Sequence, residues 1–257
     1  MTLLVDVGNS AVKWAVLAAD GRFTASGRVL HRNGADVAAG LLAAWKALAS
    51  PRRVVGCSVA GPAVMEAIDA AGRALGLPAA QWLQSQASFS GAVSLTSGYL
   101  DPRQLGADRW HALLGACERI PGISLVVANA GTATTVDCIR VAAGEARFIG
   151  GCIAPGVRLM LESLARGTAG LPLATGAPAD FPDTTDKAIV TGVLDAQAGL
   201  VERVRSRFSA SIGQAPRLLL AGGHAELLAA RLPGEFAPLI EHNLVLRGLA
   251  LRAAVPR

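Results

Sequence analysis

A chain of 257 residues has volume for one large or two ordinary domains. Apolar residues make up 52% of it and charged residues 17%, which excludes disorder, and no apolar run reaches the ~18 to 20 residues that would span a bilayer. The net charge of +5 suits an anionic ligand, but aromatics are only 4% and are not interleaved with basic residues, so a nucleic-acid groove is not expected.

The chain opens on two short β segments, LLVDV and AVKWAVLA, joined by Gly8, Asn9 and Ser10. Gly and Asn both tolerate positive φ, so this reads as a hairpin with polar groups at its tip. A helix around VAAGLLAAWKALA, a strand RRVVGCSVA, a helix AVMEAIDAAGRAL and a strand AAQWLQ follow. That alternation predicts an α/β domain. In DRWHALLGACERI, Trp110, Leu113, Leu114 and Cys117 recur at helical spacing, and Pro121-Gly122 ends the element. Asp108 therefore falls at or next to a helix start.

SLVVANAGTATTVDCIRV then repeats the opening pattern of strand, Gly-containing turn and strand. A helix VRLMLESLARG, a Pro-rich loop from Leu171 to Pro182, a long helix KAIVTGVLDAQAGLVERVRSRF, a strand RLLLAGG and helices HAELLAARL and VLRGLALRAA complete the chain. The repeat predicts two α/β halves, 1–118 and 119–257, with a cleft between them.

A hairpin tip presents a concave row of backbone N–H groups that binds anionic oxygens, and Asn9, Ser10 and Lys13 add donors. Asp6 beside that tip would repel phosphate unless a divalent cation intervenes, so it is assigned to Mg²⁺, held through water. In the second hairpin, Gly131 and Thr132, with Thr134 or Thr135, offer a matching set of donors. Gly222 and Gly223, between a strand and a helix, let backbone approach an adenine. Cys57, Cys117, Cys138 and Cys152 lack metal-ligand spacing, as do His31, His111 and His242, while His224 reads as a helix start; no structural metal is expected. Free thiols suit a reducing compartment.

DVGNSAVKW at 6–14 resembles the first phosphate motif of the actin-like kinases and AGTATTVD at 130–137 the second. With GYLDPRQLGADRW at 98–110, GGCIAPG at 150–156, TDKAIVTG at 185–192 and AGG at 221–223, nearly the whole chain resembles the type III pantothenate kinases. GADRW is the most specific segment. The resemblance implies tandem ribonuclease H-like (actin-like ATPase) domains and a cytoplasmic homodimer that phosphorylates pantothenate to 4'-phosphopantothenate with ATP and Mg²⁺. It implies Asp108 as general base, with Tyr99, Gly106, Ala107, Asp108, Arg109 and Thr185 binding pantothenate. Asp6, Val7, Gly8, Asn9, Ser10, Ala11, Val12 and Lys13, with Gly131, Thr132, Gly222 and Gly223, would then hold ATP.

Elementary chemistry agrees in two places. The dipole of a helix start is expected to keep Asp108 ionised, ready to take a hydroxyl proton, and the Arg109 guanidinium can pair with the pantothenate carboxylate. Two departures from the family stand out. Asn129 occupies a position where the family has an acidic residue linked to a monovalent cation, K⁺ or NH₄⁺; an amide oxygen can ligate such an ion but brings no charge. Asp101 precedes Pro102 where Asn is usual, and both make similar turns. The competing readings are a catalytically weak regulatory member of the fold, for which Asn129 is the motive, and a kinase of another small alcohol. For the homodimer there is one further motive: the helix from Ala188 to Phe208 has more apolar residues than one face needs, including Leu194 and Leu200.

Overall fold

The structure, a computed structural model, describes residues 1–31, 36–48 and 51–255. They form two compact units, Met1–Pro121 with Asn243–Arg257, and Gly122–His242.

The first unit runs β1 (Thr2–Val7), β2 (Ala11–Leu17), β3 (Phe23–Leu30), α1 (Val37–Trp45), β4 (Arg53–Ser58), α2 (Pro62–Ala74), β5 (Ala80–Trp82), β6 (Ser88–Ser90), β7 (Ser94–Ser97) and α3 (Ala107–Arg119). Its main sheet has the order β3-β2-β1-β4-β5, antiparallel at β3-β2 and β2-β1 and parallel from β1 to β5. β1 is central and covered on both faces, which is why it reads as a nearly unbroken apolar run. Leu3, Val5 and Val7 join Val12, Trp14 and Val16 in the core under α1 and α2. Leu4 points the other way, into a core with Ala15, Val55, Cys57 and Ala107. Strand alternation therefore turns Asp6 and Lys13, register partners across β1 and β2, toward the face that carries α3.

The second unit runs β8 (Leu125–Ala130), β9 (Ala133–Ala142), β10 (Glu145–Pro155), α4 (Val157–Gly167), α5 (Thr185–Ile212), β11 (Arg217–Ala221), α6 (Ala225–Ala229) and β12 (Leu239–Ile240). Its strands follow the order β10-β9-β8-β11-β12, antiparallel at the first two junctions and parallel at the last two. Strand for strand this is the order and direction of the first unit, so the hairpin repeat visible in the sequence is a repeat of the whole sheet. α5 spends its apolar residues inside its own unit: Leu194 is 2% exposed in one core, and Leu200 packs against another that holds Ala198, Val201, Val204 and Phe208. The surplus apolar face inferred from the sequence, and with it that motive for a dimer, is absorbed by the fold. α6 is also shorter than expected; its C-cap is Ala230, three residues before Pro233.

The last helix, α7 (Leu244–Ala254), returns to the first unit and packs along α3, whereas the sequence reading kept it with the second half. Two glycines permit the approach. A methyl group on Gly115 would strike the Leu244 carbonyl, and one on Gly248 the His111 carbonyl. Arg247 pairs with Glu118 at 3.2 Å, and Arg53 Nη1 donates to the Ala253 carbonyl at 3.0 Å. Gly248→Ala is accordingly expected to destabilise by about 1–3 kcal/mol, although Ala is the better helix former by ~1 kcal/mol. Urea unfolding of the purified variant measures this, and a gain in stability would show that the helices have room to part.

Candidate active site

Four polar groups meet in the first unit where β1 and β4 end against the start of α3. Asp6 and Cys57 are register partners on neighbouring parallel strands, and Lys13 lies opposite Asp6 on β2. Asp6 is 8% exposed, and burial pushes its carboxyl up to about 7; attraction to Lys13 opposes this and the charge of Asp108 adds to it. The Cys57 thiol is raised well above its ordinary range by burial first, then by the charges of Asp6 and Asp108. Asp6 and Asp108, a hundred residues apart in sequence, thus feel each other within one unit.

Asp108 is the second residue of α3, and Gly106 is the N-cap. A Cβ on Gly106 would lie 2.6 Å from Asp108 Oδ1, so the absence of a side chain there makes room for the carboxylate to fold back over the helix start. Oδ1 accepts the Arg109 N–H at 2.7 Å. The carboxyl is nonetheless raised, chiefly by burial, with the Arg109 N–H and charge opposing. Burial thus pulls against the stabilising dipole of the helix start and makes Asp108 a stronger base than an exposed Asp. His111, one turn on, is wholly buried; burial pushes it down to about 4, and its Nδ1–H donates to the Ala107 carbonyl at 2.6 Å, fixing the first turn of α3. The sequence shows only that His111 lacks metal-ligand spacing; this packing role is not legible there.

Arg109 is 6% exposed, with Nη1 donating to the Tyr99 hydroxyl at 3.1 Å and the guanidinium carbon 5.7 Å from the Tyr99 ring centre. Tyr99 therefore orients Arg109, while the neighbouring Leu100 is fully exposed. The Asp101 carboxylate accepts from the Arg103 backbone and side chain, closing the turn that Asp101-Pro102 was expected to make. In the β1–β2 turn, Gly8 N–H donates to the Ala11 carbonyl at 3.0 Å and Asn9 is exposed. Val7 and Val12 have fully buried side chains, so their contribution to a ligand is confined to backbone.

In the second unit the β8–β9 turn places Gly131 N–H on the Ala133 carbonyl at 3.1 Å, and the Thr132 carbonyl accepts Gly156 N–H at 3.0 Å. A Cβ on Gly156 would stand 2.6 Å from the Thr132 carbonyl oxygen, so the last glycine of GGCIAPG is a packing requirement of this turn that the sequence alone did not reveal. Gly222, at φ +94°, lies against the same turn: an added Cβ would come within 2.7 Å of Asn129 Oδ1. His224 N–H donates to the Ala130 carbonyl at 3.2 Å. The Gly222-Gly223 junction and the second hairpin thus form one surface with Asn129 beside it. Thr185 begins α5, behind its N-cap Thr184, and borders an apolar hollow of about 480 Å³ with Met160, Leu164, Leu171 and Ile189. Among the described residues no cluster of three His, Cys, Asp or Glu is arranged to hold a metal, and no helix is long and apolar enough to cross a membrane.

The sequence profile described as "Type III pantothenate kinase" matches residues 2–207. A type III pantothenate kinase of Laribacter hongkongensis is 42% identical over 97% of both chains, and one of Aromatoleum aromaticum is 43% identical over 98% of both. In structure the chain resembles a Sinorhizobium meliloti protein assigned as a 2-dehydro-3-deoxygalactonokinase, with TM-score 0.60 at 18% identity over 100% of each chain, a likeness of fold. The doubled sheet and that likeness agree on tandem ribonuclease H-like domains of the actin-like ATPase class. With a family match across most of its length and relatives above 40% identity end to end, the chain belongs to the type III pantothenate kinase family.

Proposed function

We propose that this chain transfers the γ-phosphoryl group of ATP to the primary hydroxyl of pantothenate, giving 4'-phosphopantothenate, the first step toward coenzyme A. One observation carries the reading: within a chain that matches the family over residues 2–207, the buried carboxylate of Asp6 and the half-buried carboxylate of Asp108 interact beside a phosphate-type hairpin. In this reading the turns at Gly8–Ala11 and Gly131–Thr132 hold phosphate oxygens on backbone N–H groups, with Lys13 as a countercharge and Gly222-Gly223 against the base. Asp108 takes the proton of the attacking hydroxyl, and Arg109, oriented by Tyr99, pairs with the pantothenate carboxylate. Gly106 and Ala107 shape the approach to Asp108, and Thr185 supplies a hydroxyl at the substrate.

Asp6 fits a divalent ion that arrives on the nucleotide, because Mg²⁺ is ordinarily held by one or two carboxylates, water and substrate phosphates, with no dedicated protein cage. Asp6 would hold Mg²⁺ through water, and the ion would neutralise phosphate charge there. A coupled ADP-release assay with pantothenate, ATP and Mg²⁺ tests the reading. Phosphorylation of other small alcohols in place of pantothenate would refute the acceptor, and no ADP under any cation would favour a regulatory member.

With Asn129 neutral, added K⁺ or NH₄⁺ is expected to change turnover little, and Asn129→Asp is expected to create a dependence on either ion, read as turnover against cation concentration in the same assay. A strong dependence in the unaltered chain would show that backbone carbonyls complete the site without a charge. A homodimer and a cytoplasmic setting accompany the family reading. The free Cys57, Cys117, Cys138 and Cys152 are consistent with a reducing compartment, and Ile149, Ile153 and Phe181 leave apolar surface exposed. Sedimentation at micromolar concentration checks the dimer.

A further inference from the structure

The turn between β1 and β2 is closed on one side only. Gly8 N–H donates to the Ala11 carbonyl at 3.0 Å, and an ordinary two-residue hairpin would return a bond from Ala11 N–H to the Gly8 carbonyl. Among the described residues that return bond is not formed. The Gly8 carbonyl instead accepts from His31 Nε2 at 2.9 Å, while His31 N–H donates to the Ser10 carbonyl at 3.0 Å. His31 is 6% exposed and stands one residue beyond β3, so it grips the turn from the neighbouring strand at two points. A carbonyl can only accept, which places the ring proton on Nε2; Nδ1 is buried with no partner among the described residues, so the imidazole has this single hydrogen-bonding task.

We propose that His31 is a positioning residue for the phosphate-binding turn. By holding the Gly8 carbonyl aside it releases Ala11 N–H from its usual partner and removes an acceptor that would repel phosphate oxygens. The inference rests on the reading that this turn binds ATP. Steady-state kinetics on His31→Ala, His31→Phe and His31→Gln test it. Ala and Phe are expected to raise KM for ATP about fivefold, the effect of one net hydrogen bond, with kcat and KM for pantothenate little changed. Gln, whose amide can donate to the same carbonyl, is expected to restore most of the loss. An unchanged KM for ATP in the Ala and Phe variants, or a Gln variant as impaired as Phe, overturns the proposal; if Ala does not fold, the Phe and Gln pair decides. Absence of ATP turnover in the unaltered chain would overturn the kinase reading and this one together, whereas an active parent with a normal Phe variant would overturn this one alone.

Discussion

Asp108→Asn is expected to lower kcat by about 10²- to 10⁴-fold, the usual contribution of a positioned general base, while ATP binding persists. The substitution is nearly isosteric. Its amide oxygen can still accept the Arg109 N–H that Oδ1 now receives, and the space left by Gly106 remains, so the start of α3 keeps its shape. What disappears is a carboxylate made more basic by burial. The charge of Asp108 also raises the Asp6 carboxyl, so its removal favours ionised Asp6 and should not weaken a divalent ion there. Calorimetric titration with ATP and Mg²⁺ alongside ADP release separates the two effects. Turnover close to the parent's would remove Asp108 from the chemistry. The raised carboxyl has a pH consequence as well: the base form is lost on acidification at a higher pH than for an exposed Asp, and that limb of the kcat profile should vanish in the variant.

Much of this arrangement is legible in the sequence because it is local. Gly8-Asn9-Ser10 marks a hairpin, and strand alternation then sets Asp6 and Lys13 side by side. The spacing of Trp110, Leu113, Leu114 and Cys117 fixes α3 and puts Asp108 at its start. What escaped was non-local. The grip of His31 on Gly8 joins residues 23 positions apart through strand pairing, and nothing in either residue type announces it. β10, with glycines at 150 and 151 and a register shift beside Phe148, has too weak a β signature to stand out, although its register partners on β9 include Thr134 and Thr135. α7 reads as a helix in either half; only the bare backbone at Gly115 and Gly248 assigns it to α3. The added basicity of Asp108 is hidden for a related reason, since the dipole of a helix start follows from sequence whereas desolvation comes from the packing around the site.

Asp6→Asn is expected to abolish turnover and at the same time to stabilise the ligand-free protein. In the folded chain the Asp6 carboxyl sits at about 7 against an ordinary value of 3.8, so folding favours its protonated form. Below pH 3.8 the group is protonated in folded and unfolded chains alike and costs nothing. As pH rises from 3.8 to 7 the unfolded chain releases this proton first and stability falls, reaching a loss of up to about 4 kcal/mol from pH 7 upward. Asn mimics the protonated form at every pH. The advantage of the variant should therefore be absent near pH 4, grow through the window up to 7, and be largest at pH 8, where urea unfolding of both proteins reads it directly. A variant no more stable than its parent at pH 8 would mean that Lys13 already compensates the buried charge, and the basis of the argument would fail. With the expected result, the charge at residue 6 is held against the stability of the fold; a nucleotide-borne divalent ion offsets that cost on binding, so ATP with Mg²⁺ should stabilise the parent more at pH 8 than it stabilises the variant.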